Sequence, residues 1–489
     1  MTRVLARNGV RLAVPAGALV LAVTLIAWPG SAGARSVASR VPAPPSFGTP
    51  VHVSHNAGTQ AAEPSIRADR TGKQRLWIAA PTGIGVNTRA LPANGGGDLF
   101  WYSDDAGATW HVAGGPGGAS SPTIVGGGDS DVATGYAGQV YGTGLTLANI
   151  TLAASCDNGA TFQTNPISNA DSGEDRQWID AYGDHPVPSG GPDFVLAYGN
   201  IATGHVVFHQ VLSPQCANPV AGPVIDVNRT GCETDSAECY QWPGNVAIDE
   251  RSGDAYVTYN TLGSPAHDKV IVTRVDGGAS RTATPGDVHP FVAAANRADT
   301  FDSFTVVAVD RAGNVYATWS ERHTASKRTD IYFTSSTDRG AHWTTPVKVS
   351  RAPATSTFPW MVAGANGRVD VVYYGTTAHG PSPEKVPDDS MWRVYAAQTL
   401  NGTSATPTFR EVAATPYVHR GSICTSGTDC AAGTRDLLDF FQVDVMRSGM
   451  AVLAYTDDLH TPKDPDSDDP HQEWVTFVKQ TGGPPLFPK

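Results

Sequence analysis

The fold is decided by three short stretches with one pattern, Tyr102–Trp110 (YSDDAGATW), Ser155–Phe162 (SCDNGATF) and Ser336–Trp343 (STDRGAHW). Each contains a serine, an aspartate, a glycine and an aromatic residue at the same spacing. Aspartate and serine side chains bind the N–H groups of a tight turn, and glycine supplies a positive φ angle there. The pattern therefore predicts three β-hairpin turns in which the aspartates, Asp105, Asp157 and Asp338, have a structural role.

A longer repeat surrounds these turns. An apolar strand meets a turn of the D-x-x-G kind and leads into a second strand that ends in an aromatic residue, most clearly in NVAIDERSGDAYVTY from Asn245 and TVVAVDRAGNVYATW from Thr305. The second strands of seven such units end near Ala80, Gly144, Tyr198, Tyr259, Trp319, Tyr373 and Tyr455. Repeated antiparallel units that cannot bury their own faces predict an all-β protein, a seven-bladed antiparallel β-propeller. Six blades are the alternative, if the degenerate second unit from Asp131 is a loop insertion.

The two ends of the repeat region complement each other. FGTPVHVS, from Phe47, resembles the fourth strand of a unit, and EWVTFVKQ, from Glu473, resembles a third strand without a fourth. We expect the N-terminal strand to complete the last blade, which removes exposed strand edges. The predicted propeller spans residues 47–482, with a tail at 483–489.

The N-terminus has the pattern of a secretory signal. Three arginines, Arg3, Arg7 and Arg11, precede the apolar run Leu12–Trp28, and small residues follow at 32–34. This order predicts a signal peptide at 1–34, a flexible segment at 35–46 and a secreted, extracellular protein without a membrane span. An uncleaved membrane anchor is the alternative. The net charge of −12 argues against nucleic acid as a partner, since phosphate binding needs a basic surface.

Six cysteines in an exported chain indicate disulfides. Cys232 and Cys239 flank one short loop, and Cys424 and Cys430 flank another. Local pairing of each leaves Cys156 to pair with Cys216, and these two residues are expected on neighbouring blades.

The turn pattern and the longer repeat resemble the Asp-box, or bacterial neuraminidase repeat, of the sialidase superfamily. The resemblance implies a propeller that acts on carbohydrate. Active sialidases carry an Arg-Ile-Pro motif on the first blade, where this chain reads Glu63-Pro64-Ser65-Ile66. A carboxylate cannot replace the arginine fork that binds sialic acid, so an altered glycoside hydrolase is expected. The alternative is a non-catalytic extracellular propeller that binds a glycan, a peptide or an envelope partner.

In an antiparallel propeller the starts of the first strands and the ends of the second strands lie on one face. The chain places acids, arginines and tryptophans at those positions, which suits sugar binding. The catalytic candidates are Asp175, Glu321 and Glu63. The substrate-binding candidates are Arg176, Trp178, Trp242, Arg322, Trp360 and Arg435. Alternatively, the arginines form ion pairs with neighbouring acids.

No cofactor or metal is predicted. The spacing Asp464-x-Asp466-x-Asp468 starts like a Ca²⁺ loop, but Asp469 and Val475 stand where glycine and glutamate are needed. A solvated acidic loop is favoured over structural Ca²⁺. The histidines show no ligand spacing. The expected partner is a glycan or polysaccharide, and the sequence does not indicate the oligomeric state.

Overall fold

The computed structural model describes most of the chain after residue 41. The described residues are 42–54, 60–71, 74–82, 97–114, 124, 126–146, 149–166, 173–228, 241–261, 268–300, 304–427, 430–431, 434–459 and 472–488. The predicted signal peptide, the predicted Cys232–Cys239 bridge and the acidic loop at 464–468 lie outside them. No helix in the described part of the chain is long and apolar enough to span a bilayer.

The described residues form antiparallel sheets, and the prediction of an all-β antiparallel propeller is confirmed. The N-terminal strands are β1 (Ser46–Phe47) and β2 (Val51–His52). The first sheet contains β3 (Ser65–Ala68), β4 (Leu76–Pro81), β5 (Asp98–Ser103) and β6 (His111–Val112). The second contains β7 (Ser130–Thr134), β8 (Val140–Thr146), β9 (Asn149–Ser155) and β10 (Gln163–Asn165). The third contains β11 (Glu174–Asp180), β12 (Phe194–Asn200), β13 (His205–Leu212), β14 (Val220–Ala221) and β15 (Ile225–Asp226).

The second half of the chain continues in the same way. The fourth sheet contains β16 (Gln241–Asp249), β17 (Asp254–Thr261), β18 (Asp268–Val275) and β19 (Val288–Arg297). The fifth contains β20 (Val306–Val309), β21 (Val315–His323), β22 (Arg328–Ser336), β23 (Val347–Lys348), β24 (Thr355–Ala363), β25 (Val369–Thr376), β26 (Met391–Thr399) and β27 (Phe409–Arg420). The last contains β28 (Gln442–Val445), β29 (Ala451–Asp457) and β30 (Trp474–Gly482). Short 3₁₀ helices lie at Pro214–Cys216, Pro285–Asp287, Thr324–Ser326 and Pro383–Lys385.

The number of separate blades differs from the prediction. Five sheets have four or five strands each, whereas the fifth sheet in chain order has eight. That sheet holds two successive repeat units, joined where Thr329 on β22 pairs in parallel with Thr355 on β24. The predictions of seven separate blades and of six are both wrong in count, because hydrogen bonding merges two units while five remain single. The degenerate second unit forms a sheet of its own and is not a loop insertion.

The N-terminal strands complete the last sheet, as predicted. β1 and β2 both pair antiparallel with β30, and Val51 lies opposite Phe477. The edge that β30 would otherwise expose is thereby covered.

The residues that follow β30 pack against the propeller. Leu486 is fully buried. Its N–H donates to the carbonyl oxygen of Gly449, and its own carbonyl accepts from the N–H of Ala365, at 2.7 and 2.9 Å. The segment therefore joins the β24–β25 turn to the β28–β29 turn.

The first strands of the units, β3, β7, β11, β16, β20, β24 and β28, follow one another around the axis. On their axial side they have no neighbouring strand, so polar side chains of one unit bind the backbone of the next. Asp444 accepts from the N–H of Ala68 at 2.7 Å, and Asp180 accepts from the N–H of Ile248 at 2.9 Å. Gln442, Asp131 and Asn245 make equivalent bonds to Ile66, Ile179 and Val307. These bonds satisfy N–H groups that would otherwise be buried without a partner.

Two of the predicted disulfides are confirmed. Cys156 bonds Cys216, with Cα atoms 5.6 Å apart, and ties the second sheet to the third. Cys424 bonds Cys430 within the connection between β27 and β28.

The three aspartate turns have the contacts that their pattern predicts. In the second, the Asp157 carboxylate accepts from the hydroxyl of Ser155 and from the N–H and hydroxyl of Thr161, at 2.6–2.9 Å. Gly159 has a φ of +77°, and a Cβ there would lie 2.0 Å from the Trp77 ring, so only glycine fits. Equivalent bonds surround Asp105 and Asp338.

Candidate active site

Residues at the starts of four first strands meet at one mouth of the propeller. Glu63 precedes β3, Asp129 precedes β7, Asp175 is the second residue of β11 and Asp439 precedes β28. With the arginines Arg176 and Arg435 they form what we call the acid cluster. The four carboxylates come from sheets that follow one another around the ring, in the order last, first, second and third. Asp439 and Asp175 therefore stand at the two ends of an arc.

The cluster has a buried layer and an exposed layer. Glu63 and Arg176 are each 1% exposed. By contrast, the side chains of Asp129, Arg435 and Asp439 are 15–20% exposed, and Asp175 is half-buried. A ligand at this mouth would meet the exposed layer and leave Glu63 and Arg176 beneath it.

Asp129 is the centre of the hydrogen bonds among the acids. The carboxyl groups of Glu63 and Asp175 both bond to it. Although burial opposes ionisation, the positive charge of Arg176 and these two bonds lower the pKa of Asp129. Burial, followed by the charge of Asp129, raises the pKa of Asp175 to about 8. The same two causes raise the pKa of Glu63 well above its usual value.

The net charge of the cluster agrees with the directions of these pKa shifts. Four carboxyl groups against two guanidinium groups leave two negative charges if every acid is ionised. Buried charges must be balanced, and protons on Glu63 and Asp175 make the cluster neutral. Burial raises the pKa of Asp439, and the positive charge of its partner Arg435 opposes that rise. The cluster thus presents a protonated carboxylic acid beside an ionised carboxylate near neutral pH, which general acid catalysis requires.

The guanidinium group of Arg176 makes its contacts within the protein. Its guanidinium lies 3.9 Å from the ring centroid of Trp178 and 4.1 Å from that of Phe440. It donates to the carbonyl oxygens of Gln177 and Ser130 at 2.8 and 3.2 Å. The predicted substrate contact is therefore a buried positioning group, and Arg435 is the cluster's exposed arginine.

The predicted tryptophans fill the axis. The Trp178 ring contacts the rings of Trp360, Phe440 and Phe304 at centroid distances of 4.7–5.3 Å. Trp178 and Trp360 are at most 3% exposed, so neither offers a face for sugar stacking. Trp242 is partly buried and stacks on Phe304.

The structure does not bring Glu321 or Arg322 to the cluster. Glu321 is buried, pairs with Arg297 and accepts from the indole N–H of Trp319 at 2.9 Å. Arg322 pairs with Asp299 at 3.2 Å. Arg322 therefore forms an ion pair with a neighbouring acid, which is the alternative stated for the arginines.

The sequence places Asp129 and Asp439 at this mouth, because both precede a first strand, but neither was among the catalytic or substrate-binding candidates. Their position at the mouth can be predicted, because the start of each first strand faces it. Their proximity to Asp175 cannot be predicted from the sequence, since it depends on which units are neighbours across the ring closure.

A cavity opens at the end of the axis opposite the acid cluster. It has a volume of about 390 Å³, and Trp360 and Met361 line its apolar side. Charged residues there pair with one another, as Arg70 does with Asp184 and Asp444. The aspartate turns also lie on this face, because β-strands one and three of each unit run in the same direction. Asp105, Asp157 and Asp338 are thus at the face opposite the acid cluster.

Comparison with known proteins found no matching family model and no matching curated protein. Solved structures with a similar fold include a protein of unknown function from Dyadobacter fermentans, at 13% identity, covering 89% of this chain and 99% of that one, TM-score 0.43. An α-L-arabinanase from Penicillium chrysogenum has 12% identity over 89% and 97% of the two chains, TM-score 0.41. The NanB sialidase from Streptococcus pneumoniae has 11% identity over 89% and 70%, TM-score 0.39. The function of this chain is therefore to be sought in its own residues.

Proposed function

We propose that this chain hydrolyses glycosidic bonds at the acid cluster. The observation that supports this most directly is the partly exposed Asp175, whose pKa is raised to about 8 beside an ionised Asp129. A glycosidase needs one carboxyl group that is protonated near neutral pH and a second that is ionised.

Asp175 is the proton donor in this proposal. It gives its proton to the glycosidic oxygen as the bond to the anomeric carbon breaks. Asp439 is the second carboxylate, which either attacks that carbon or takes a proton from an attacking water. The two stand at opposite ends of the arc and interact through charge, whereas Asp129 bonds directly to Asp175. Glycosidase carboxyl groups are separated by about 5–10 Å, which favours Asp439 over Asp129 for this role.

The proposed substrate is a neutral glycan or polysaccharide. A sialic acid carboxylate would meet the exposed carboxylates of Asp129 and Asp439, while Arg435 is already paired with Asp439. Glu63, the residue that replaces the sialidase arginine, acts from below the surface through its bond to Asp129. We therefore expect neutral sugars rather than sialosides to bind.

The proposed location is extracellular. Two disulfides support it, because such bonds persist in oxidising compartments. The predicted signal at 1–34 agrees with it.

A non-catalytic glycan-binding propeller is the second candidate. The observation that favours it is the direct bonding of Glu63 and Asp175 to Asp129, since a cluster that shares its protons internally can be purely structural.

Hydrolysis of neutral glycosides and polysaccharides by the purified protein tests the proposal. We expect turnover that Asp175→Asn lowers by about 100-fold or more, as loss of a general acid does. Asp388→Asn is the matched control, since Asp388 is exposed in the β25–β26 connection on the same face. Turnover that survives in Asp175→Asn, or glycan binding by a folded protein without any turnover, would reject hydrolysis at this cluster.

A further inference from the structure

Three buried side chains that are distant in the sequence meet beside the last two repeat units. His419 lies on β27, Asp436 precedes β28 and Asp458 follows β29. One ligand atom of each lies within 4.8 Å of the others. Their exposures are 1%, 5% and 8%. None of them belongs to the acid cluster.

The hydrogen bonds of His419 fix the direction of its ring. Nε2 lies 3.2 Å from the carbonyl oxygen of Ser422, which only accepts hydrogen bonds. Nε2 therefore carries a hydrogen, and Nδ1 points to Asp458 Oδ2 at 2.7 Å. Metal-binding histidines are commonly held in this way, with the second ring nitrogen donating to a backbone carbonyl.

Three acceptor atoms thus converge in a buried place: Nδ1 and one oxygen from each carboxylate. A proton on Nδ1 gives a charge-assisted hydrogen bond to Asp458 and balances the charge of one of the two carboxylates. A divalent cation cancels both and uses all three ligand atoms.

We propose that His419, Asp436 and Asp458 bind a divalent metal ion of the Zn²⁺ class. A ligand set of one imidazole and two carboxylates suits Zn²⁺ better than Mg²⁺ or Ca²⁺, which prefer oxygen alone. At Zn–N and Zn–O distances of about 2.0–2.2 Å, two ligand atoms lie at most about 4.4 Å apart. Ligand atoms up to 4.8 Å apart therefore have to approach slightly, whereas Nδ1 and Asp458 Oδ2, at 2.7 Å, have to separate to admit the ion.

The ion would hold together elements that meet at the end of the ring. His419 belongs to the sheet before the last, and Asp458 to the last. Asp436 follows Arg435 directly and lies close to Asp439 in the chain, so the ion would also fix the segment that carries these two cluster residues. The proposal does not depend on hydrolysis.

Metal content and binding of the purified protein test this inference. After chelator treatment and dialysis, titration with Zn²⁺ is expected to give one tight site per chain and to raise the unfolding temperature. Co²⁺ in its place is expected to give visible absorption bands typical of nitrogen and oxygen ligation. A titration without a stoichiometric site for either ion would overturn the proposal without any variant.

Two variants and one control locate the site. Asp436→Asn keeps the side-chain shape and is expected to weaken Zn²⁺ binding at least about tenfold, and His419→Gln is expected to do the same. His342→Gln is the control, since His342 forms a similar pair with Asp338 at 2.6 Å on the surface. Equal binding by the wild type and Asp436→Asn, or a loss in the His342 control alone, would place the ion elsewhere.

Discussion

At the scale of the residue, the behaviour of Asp175 depends on its neighbour. Asp129 carries the charge and accepts the hydrogen bond that, after burial, raise the pKa of Asp175. A proton donor acts only in its protonated form. The pKa of the free enzyme's donor sets the alkaline limb of kcat/KM.

We expect kcat/KM on a neutral glycoside to fall as the pH rises through about 8, where Asp175 loses its proton. Asp129→Asn removes a negative charge that opposes this loss, so the limb should move to lower pH. Measurement of kcat/KM from pH 5 to 10 checks both statements. A limb that stays in place in Asp129→Asn would separate Asp129 from the acid, and Asp388→Asn should leave it unchanged.

The sequence predicts which residues lie at the mouth only from their positions along the strands. Glu63, Asp175 and Arg435 lie at the mouth because each is near the start of a first strand. Glu321 was grouped with them because it lies near the end of β21, but that strand is further from the axis than β20. Glu321 lies outside the acid cluster because its strand is farther from the axis, and its position along the strand does not show this.

At the scale of the element, the aspartate turns hold strands three and four of a unit together. The N–H of His342, followed by its imidazole ring, lowers the pKa of Asp338 to about 2. A lowered pKa means that the ionised form is bound more tightly in the folded state. Its contribution to stability is present above the usual pKa of aspartate and is lost as the pH falls towards 2.

We expect Asp157→Ala to lower the free energy of unfolding by about 1–2 kcal/mol, because three hydrogen bonds within the turn are lost. Urea denaturation measures this change. The exposed Asp388→Ala should cost less than about 0.5 kcal/mol. Glycoside turnover should persist in Asp157→Ala, since the turn lies on the face opposite the acid cluster, and a loss of turnover in the folded variant would contradict that placement.

The alternation of apolar and polar residues predicts only some of the strands. All seven residues of β12 and all eight of β25 are buried. Sheets that pack on both faces lose the polar side that alternation requires. The merging of two units at Thr329 and Thr355 has no sequence signal of its own, because one backbone pairing depends on how closely two units approach.

At the scale of the whole molecule, the C-terminal segment joins neighbouring units. Leu486, in the segment predicted as a tail, is buried between the turns at Gly364 and Gly449. The sequence of so short a segment does not show which surface it will cover.

We expect Leu486→Ala to lower the free energy of unfolding by about 2–5 kcal/mol, the usual cost of emptying a buried leucine site. Chemical denaturation followed by tryptophan fluorescence measures it. Leu459→Ala is the control, because Leu459 is 39% exposed. Equal effects of the two substitutions would mean that the segment does not pack in solution as it does in the structure.

The pairing of β2 with β30 has a consequence for biosynthesis. A ribosome makes Thr476 only 424 residues after His52. Until then β1 and β2 have no partner strand, and contacts between residues so far apart in the sequence form slowly. Glu63 and Asp439 lie on the two units that this pairing joins, so we expect a nascent chain stopped before β30 to carry all four acids without the strand pairing that holds them together.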